Sequence, residues 1–207
     1  MSIRNLEYLF RPTSVAVIGA SKRPYSVGAT VMRNLLAGGF DGPIMPVHPK
    51  YDSVAGVLVW PSVAALPRTP DLAIICTPPS TVPGLIAELG ERGTKAAVVV
   101  TAGLGEIDPE TGKSLQQMML DAARRHTLRL LGPNCLGLVI PPIGLNASFA
   151  HDTVPAGSIA FLSQSGALAT AVLDWARTKD IGFSHFVSLG NSADIDLGDA
   201  LDFLGSD

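Results

Sequence analysis

Five short apolar runs constrain this chain more than any other feature: "SVAVIG" (14–19), "PIMPVHP" (43–49), "DLAIICTP" (71–78), "KAAVVVTAG" (95–103) and "LRLLGPN" (128–134). None alternates polar with apolar residues, so each reads as a strand covered on both faces, as in a parallel sheet. Helix-period segments fill the intervals. "VGATVMRNLLAGG" sets Val27, Val31 and Leu35 along one face and stops at Gly38 and Gly39, while "TVPGLIAELGERG" and "GKSLQQMMLDAARRH" space apolar residues three and four apart. Strand and helix alternating in this way predict an α/β fold, a doubly wound parallel sheet with right-handed crossovers, over residues 1–140.

A proline-rich joint follows, "VIPPIGLNASFAHDTVPAG", in which Pro141, Pro142 and Pro155 disfavour regular structure, so residues 141–157 read as a linker. The alternation restarts over residues 158–207 with "SIAFLSQ", "SGALATAVLDWARTKD", "FSHFVSLG" and "DLGDALDFLGSD". Two β-α pairs leave a sheet edge and a face uncovered, so this second α/β unit reads as truncated, and its edge would invite pairing with another copy.

A formal net charge of −3, spread without long like-charge blocks, gives no footprint for nucleic acid or an anionic membrane surface. The start "MSIRNLEYLFRPTS" lacks a signal-peptide pattern and no apolar run reaches membrane-spanning length, which points to the cytoplasm. Cys76 and Cys135 lack CxxC spacing and read as reduced, packed thiols; His48, His126, His151 and His185 show no metal spacing, and no G-x-S-x-G elbow occurs.

The first strand runs into the loop "GASKRPYSVG". Gly19 and Gly28 are nine positions apart, whereas a dinucleotide fingerprint needs three glycines within six residues. Where NAD-binding folds place an acidic residue, the second strand ends in "VHPKYD" and offers His48 and Lys50. A basic group there suits a phosphate on the ribose, and the loop ends at a helix N-terminus, whose free amides favour an anion. Two readings stand: a nucleotide with an extra phosphate, or a plain strand-turn-helix. The stretch "FLSQSGALATAV" poses the same choice, since Ser163, Ser165 and Gly166 form either a second anion site or an ordinary serine N-cap. Glu106 lies just past a strand end, where α/β ligands bind or solvent does.

The ordered motifs "LFRPTSVAVIGAS", "PVHPKYDSVAG", "CTPPS", "TAGLGE", "GPNCLGL", "FLSQSGALA" and "FVSLGNSADID" resemble those of NDP-forming acyl-CoA synthetases, relatives of the succinyl-CoA synthetase alpha subunit, over essentially the whole chain. The resemblance implies a Rossmann-like CoA-binding domain followed by a truncated flavodoxin-like domain, with coenzyme A or acetyl-CoA as ligand. By that match Gly19, Ala20, Ser21 and the stretch through Ser26, Val27 and Gly28 would line the CoA diphosphate, and Lys50 would face the ribose 3'-phosphate. Thr77, Pro78 and Pro79 would flank the nucleotide, Asn134 and Cys135 would stand near the thiol, and Pro46, Thr101, Ala102 and Gly103 complete the implied contacts. Ser163, Gln164, Ser165 and Gly166 resemble the loop that meets the phosphoryl group.

Members of that family make acyl-CoA from a carboxylate, CoA and a nucleoside triphosphate through an acyl phosphate and a phosphohistidine. The family's histidine precedes a small or hydroxyl residue and a glycine; here the four histidines precede Pro49, Thr127, Asp152 and Phe186, and Thr127 is followed by Leu128. The resemblance thus implies a CoA-binding portion that meets ATP or ADP only through other segments, an ATP-grasp module like the ligase beta subunit among them. A second resemblance, carried by "GLNASFA" and "ATAVLDWARTKDIGFSHFVSLG", is to lysine acetyltransferases in which a ligase-like, acetyl-CoA-sensing region is fused to a GNAT domain. An NADP-dependent oxidoreductase keeps Lys50 but lacks the glycine fingerprint.

Overall fold

A computed structural model describes residues 2–206. In chain order the elements are α1 (Glu7–Phe10), β1 (Val15–Ile18), α2 (Val27–Gly38), β2 (Ile44–Val47), the small hairpin β3 (Ser53–Val54) and β4 (Val57–Leu58), β5 (Leu72–Ile75), α3 (Val82–Glu91), β6 (Ala96–Val99), α4 (Leu115–Arg125) and β7 (Arg129–Leu131). Then come β8 (Gly137–Ile140), β9 (Leu145–Ser148), β10 (Ala156–Ser163), α5 (Gly166–Thr178), β11 (Phe183–Ser188) and α6 (Leu197–Gly205).

The five apolar runs form one parallel sheet in the order β2-β1-β5-β6-β7. The chain goes from β1 outward to β2, then crosses back over β1 to β5, so the winding reverses between β1 and β5. Ligands of doubly wound sheets bind beyond the strand ends at such a reversal. Both faces are covered, which is why the strands do not alternate. Ala16, Ile18, Ala73, Ile75, Ala97 and Val99 pack under α3 and α4, whereas Val15, Val17, Leu72, Ile74 and Val98 pack under α2. Pro46 lies inside β2, the edge strand, where a missing amide donor costs no ladder bond to a further strand.

The second sheet has the order β10-β11-β8-β9, with β10 and β11 parallel and β8 antiparallel to both neighbours. This corrects the expected linker at 141–157. Pro141 and Pro142 occupy a single 3-10 turn, Pro141–Ile143, that closes a hairpin, and the residues after it return as β9. A proline needs no amide partner in such a turn, so its presence does not prevent strands on either side.

The two sheets share a core instead of forming separate bodies. Helix α2 lies between them, with Val31, Met32 and Leu35 meeting the first sheet and Leu138, Ile140, Leu145 and Ala147 of the hairpin in the same cluster. Asn34, buried on this helix, donates through Nδ2 to the carbonyls of Ser148 (2.9 Å) and Ala150 (2.8 Å), capping the outer strand's end. The far face of the second sheet is covered by α5 through Ala169, Leu173 and Ala176. A further tie runs along the free edge of β7: the amides of Asn191, Ala193 and Ile195 donate to the carbonyls of Pro133, Gly132 and Leu130. Arg129 fastens that edge by ion pairs to Asp194 (3.0 Å) and to the buried Asp199 (2.7 Å).

Candidate functional site

The crevice at the sheet reversal is built around two glycines. Gly19 ends β1 with φ at +92°, a conformation a side chain rarely adopts, and this turns the chain away from the sheet towards α2. Gly28, in the first turn of α2, packs directly on the carbonyl of Gly19, so close that any β-carbon there would collide with it. The nine-residue spacing is therefore a loop whose two ends touch. Between them Ser26 caps α2, accepting from the Ala29 amide (3.4 Å) and donating to the Arg23 carbonyl (2.7 Å), while the Ser21 hydroxyl accepts from the Arg23 amide (3.0 Å). The first amides of α2 have no partner within the helix and carry the positive end of its dipole.

Two clefts meet at this point. The first, of about 640 Å³, is lined by the loop through Gly19, Ser21, Arg23, Ser26 and Gly28, and by His48, Pro61, Val63 and Pro78. The other, of about 680 Å³, is lined by Thr101, Ala102, Asn134 and Cys135 from the first sheet and by Gln164, Ser165, Gly166 and Asn191 from the second. Val27, Cys76 and Thr77 line both. The two clefts thus adjoin as a trough that runs from the first sheet to the second, with these three residues as the ridge between them.

The basic end of the trough differs in detail from the sequence expectation. His48 stacks on Tyr51 (4.2 Å between centroids), and its Nδ1 accepts the Lys50 amide (3.1 Å). Burial, and then the Lys50 charge, hold the His48 pKa below its usual value. A neutral imidazole that accepts at Nδ1 carries its proton on Nε2, as a donor. Lys50 lies exposed two residues further on, outside the lining, whereas Arg23 and His48 belong to it. Lys22 stands 5.6 Å over the Tyr51 ring, adding a second ammonium nearby.

Other expected residues fall around the trough. Thr101 Oγ1 donates to the Thr77 carbonyl (2.8 Å), tying the ends of β5 and β6. Pro79 opens a 3-10 turn beside Pro78, and Gly103, at φ +84°, faces the Pro79 ring; neither lines a cleft. Ala20 and Pro46 are buried behind the lining. Asn134, at φ +58°, reaches Asn191 through Nδ2 (3.3 Å). Cys76 belongs to the ridge and Cys135 lines the second cleft, and burial pushes each thiol up to about 12. Both are neutral near pH 7 and do not act as thiolate nucleophiles there.

In the second loop Ser165 caps α5 by accepting from Leu168 (3.2 Å), and the Ser163 hydroxyl accepts from the Ser165 amide (3.1 Å). Gln164 donates to Ser192 (3.2 Å). Apart from its chain neighbours and its own helix backbone, no protein atom lies within 4 Å of where a β-carbon on Gly166 would be. The space before Gly166 opens into the cleft. Arg23 lies within the loop that the sequence assigned to the diphosphate, whereas Leu136, Phe149, Thr170, Gly190 and Asn191 were missed as lining residues. Only the glycine-asparagine pair after β11 carried a local signal, as a turn at a strand end.

A doubly wound sheet with a glycine-closed loop and a helix N-terminus at its reversal defines a nucleotide-binding α/β protein. Residues 13–141 match the family model of the CoA binding domain, and residues 156–207 match that of the succinyl-CoA ligase like flavodoxin domain. The chain belongs to the CoA-binding domain family, joined to a succinyl-CoA ligase-like flavodoxin segment. It is 44% identical over 202 residues to acetate–CoA ligase [ADP-forming] I of Archaeoglobus fulgidus, covering 98% of this chain and 29% of that one. It is 41% identical over 207 residues to the alpha subunit of acetate–CoA ligase [ADP-forming] I of Pyrococcus furiosus, covering 98% and 45%. The structure of the dinucleotide forming acetyl-coenzyme A synthetase 1 of Ca. Korarchaeum cryptofilum, in complex with phosphate and ADP, superposes with a TM-score of 0.90 at 40% identity, over 98% of this chain and 43% of that one. The chain thus corresponds to the CoA-binding part of ADP-forming acyl-CoA ligases and spans less than half the length of these relatives. The acetyltransferase alternative finds no support in these matches.

Proposed function

We propose that this chain holds coenzyme A for an ADP-forming acyl-CoA ligase, in which a carboxylate, CoA and ATP give acyl-CoA, ADP and phosphate. The observation that carries this reading is the trough itself. One half has the loop, dipole and basic groups that suit a nucleotide phosphate, the other is a neutral cleft, and both share the Val27–Cys76–Thr77 ridge. A molecule with a phosphorylated nucleotide at one end and an uncharged thiol-bearing arm at the other fits that division. The diphosphate would lie against Gly19, Ser21, Ser26 and Gly28. Arg23, His48 and, at the rim, Lys50 would surround the ribose phosphate, and the arm would cross Thr77 towards Asn134 and Cys135.

The second helix N-terminus, with Ser163, Gln164, Ser165 and Gly166, would hold the phosphoryl group of an acyl phosphate at the thiol end. The phosphohistidine and the ATP-grasp module, with the ATP and ADP they handle, would come from other segments of the same or another chain. Among the described residues no helix is long and apolar enough to cross a membrane, and we place the protein in the cytoplasm.

Isothermal titration with CoA, dephospho-CoA and NADP tests the reading. CoA should bind with the loss of the 3'-phosphate weakening it at least tenfold, and NADP should give no comparable signal. Arg23→Ala and Lys50→Ala should each narrow the gap between CoA and dephospho-CoA. Preference for NADP, or no binding of CoA by folded protein, would overturn it.

A further inference from the structure

The turn that follows β2 is closed by a side chain. His48 Nδ1 accepts from the backbone amide of Lys50, two residues on (3.1 Å), which is how an asparagine or aspartate oxygen closes an Asx-turn. The residue is anchored behind this bond: its own amide donates to the Trp60 carbonyl (3.0 Å), and its ring stacks on Tyr51 (4.2 Å between centroids). His48 and Pro49 both line the first cleft. One ring nitrogen therefore shapes the cleft wall at this point.

An imidazole differs from a carboxamide in that it takes up a proton within the physiological range. Nδ1 accepts only through its lone pair, and a proton from water occupies that lone pair. The imidazolium is a donor at both nitrogens and would face the Lys50 amide donor to donor. The charges around the ring favour the neutral form. Lys22 stands 5.6 Å over the same Tyr51 ring, Arg23 lines the cleft from the glycine loop, and Lys50 lies in the turn itself. Among the described residues Glu88, from α3, is the one carboxylate in the lining, and its Oε1 accepts the Ala64 amide (2.9 Å). Asp52, next along the chain after Tyr51, is exposed, and the hairpin's Trp60 carries no charge. Burial, and then the Lys50 charge, lower the His48 pKa from 6.5.

Resting on the CoA reading for its effect on the ligand, we propose that His48 is a positioning residue that works as a proton-operated latch. With Nδ1 unprotonated it holds the turn that walls the cleft; on taking a proton it releases that turn and loosens the grip on CoA. It makes and breaks no bond within the ligand. The direction is opposite to that of a residue acting only through its charge, because an imidazolium would attract a phosphate.

The latch is read first on the free chain, by NMR. Between pH 7.5 and 5.0 the Lys50 amide should shift along the same curve as the His48 ring. In His48→Asn it should stay still, because the carboxamide oxygen accepts the same amide and does not titrate. Calorimetry with CoA then tests the consequence. The phosphates of CoA also gain protons near pH 6, and the other three histidines are common to both proteins, so what is compared is the ratio of affinities at pH 7.5 and 5.0. That ratio should be at least about twofold larger for the native chain than for His48→Asn. A Lys50 amide that ignores the ring titration, or a native ratio equal to or smaller than that of His48→Asn, would overturn the latch. No binding of CoA by the native chain at either pH would overturn the CoA reading instead, and the amide titration of the free chain would still decide whether a proton opens the turn.

Discussion

Gly28, at the start of α2, sits on the carbonyl oxygen of Gly19, at the end of β1, and this contact joins the two ends of the phosphate-binding loop. The loop is shaped by backbone touching backbone. A methyl group at position 28 has nowhere to go, because what it would meet is main chain on both Gly19 and Ala20.

Gly28→Ala is therefore expected to push α2 away from the sheet, with an overpacking cost of about 1–3 kcal/mol, and to weaken CoA at least tenfold. Urea unfolding and titration calorimetry check the two effects. Unchanged stability would mean that the loop ends are not in contact.

Gly166→Val should behave in the opposite way. Nothing in the protein occupies the space before Gly166, so its stability should stay within about 0.5 kcal/mol of native, as for exposed positions. Binding of inorganic phosphate at this loop should fall at least tenfold, read by calorimetry. Unaltered phosphate binding would remove the loop from the site.

The thiols offer a chemical check. With both raised to about 12 by burial foremost, the thiolate fraction at pH 8 is about one part in ten thousand. Iodoacetamide should label Cys76 and Cys135 in the folded chain at least about a hundredfold more slowly than in urea, because alkylation proceeds through the thiolate. Rapid labelling of either would show that it is open to solvent.

His185 links stability to pH. It packs edge-on against Phe10 (5.6 Å between centroids), and burial, then the charge of Arg11, hold its pKa below 6.5. The unfolded chain thus takes up a proton here at higher pH than the folded one. The contribution is complete above about pH 7.5 and is lost as pH falls through about 6.5 towards the folded value. His185→Phe should flatten the urea midpoint between pH 7.5 and 5.5 relative to native. An unchanged slope would mean that the ring titrates freely in the fold.

Much of the architecture is legible in the sequence because each strand of the first sheet is buried on both faces, so Val15 to Ile18 or Leu72 to Ile75 read as unbroken apolar runs. The β8–β9 hairpin is not, since Pro141 and Pro142 suggest a joint and only the distant helix α2 shows what Leu145 and Ala147 pack against. Within the site, the loop from Gly19 to Gly28 is local and can be found by spacing. Phe149, Gly190 and Asn191 arrive from a second sheet whose docking no local pattern encodes. Lys50 shows the limit of reading a strand end, which names the right turn but not which basic side chain enters the cleft.

The most direct measurement is the amide NMR spectrum of the chain titrated with CoA. If the two clefts form one site, amides of Ser21 to Gly28 and those of Gly166, Gly190 and Asn191 shift together with a single Kd. Shifts confined to one cleft, or two sets with different Kd values, would contradict a trough that holds one ligand from end to end.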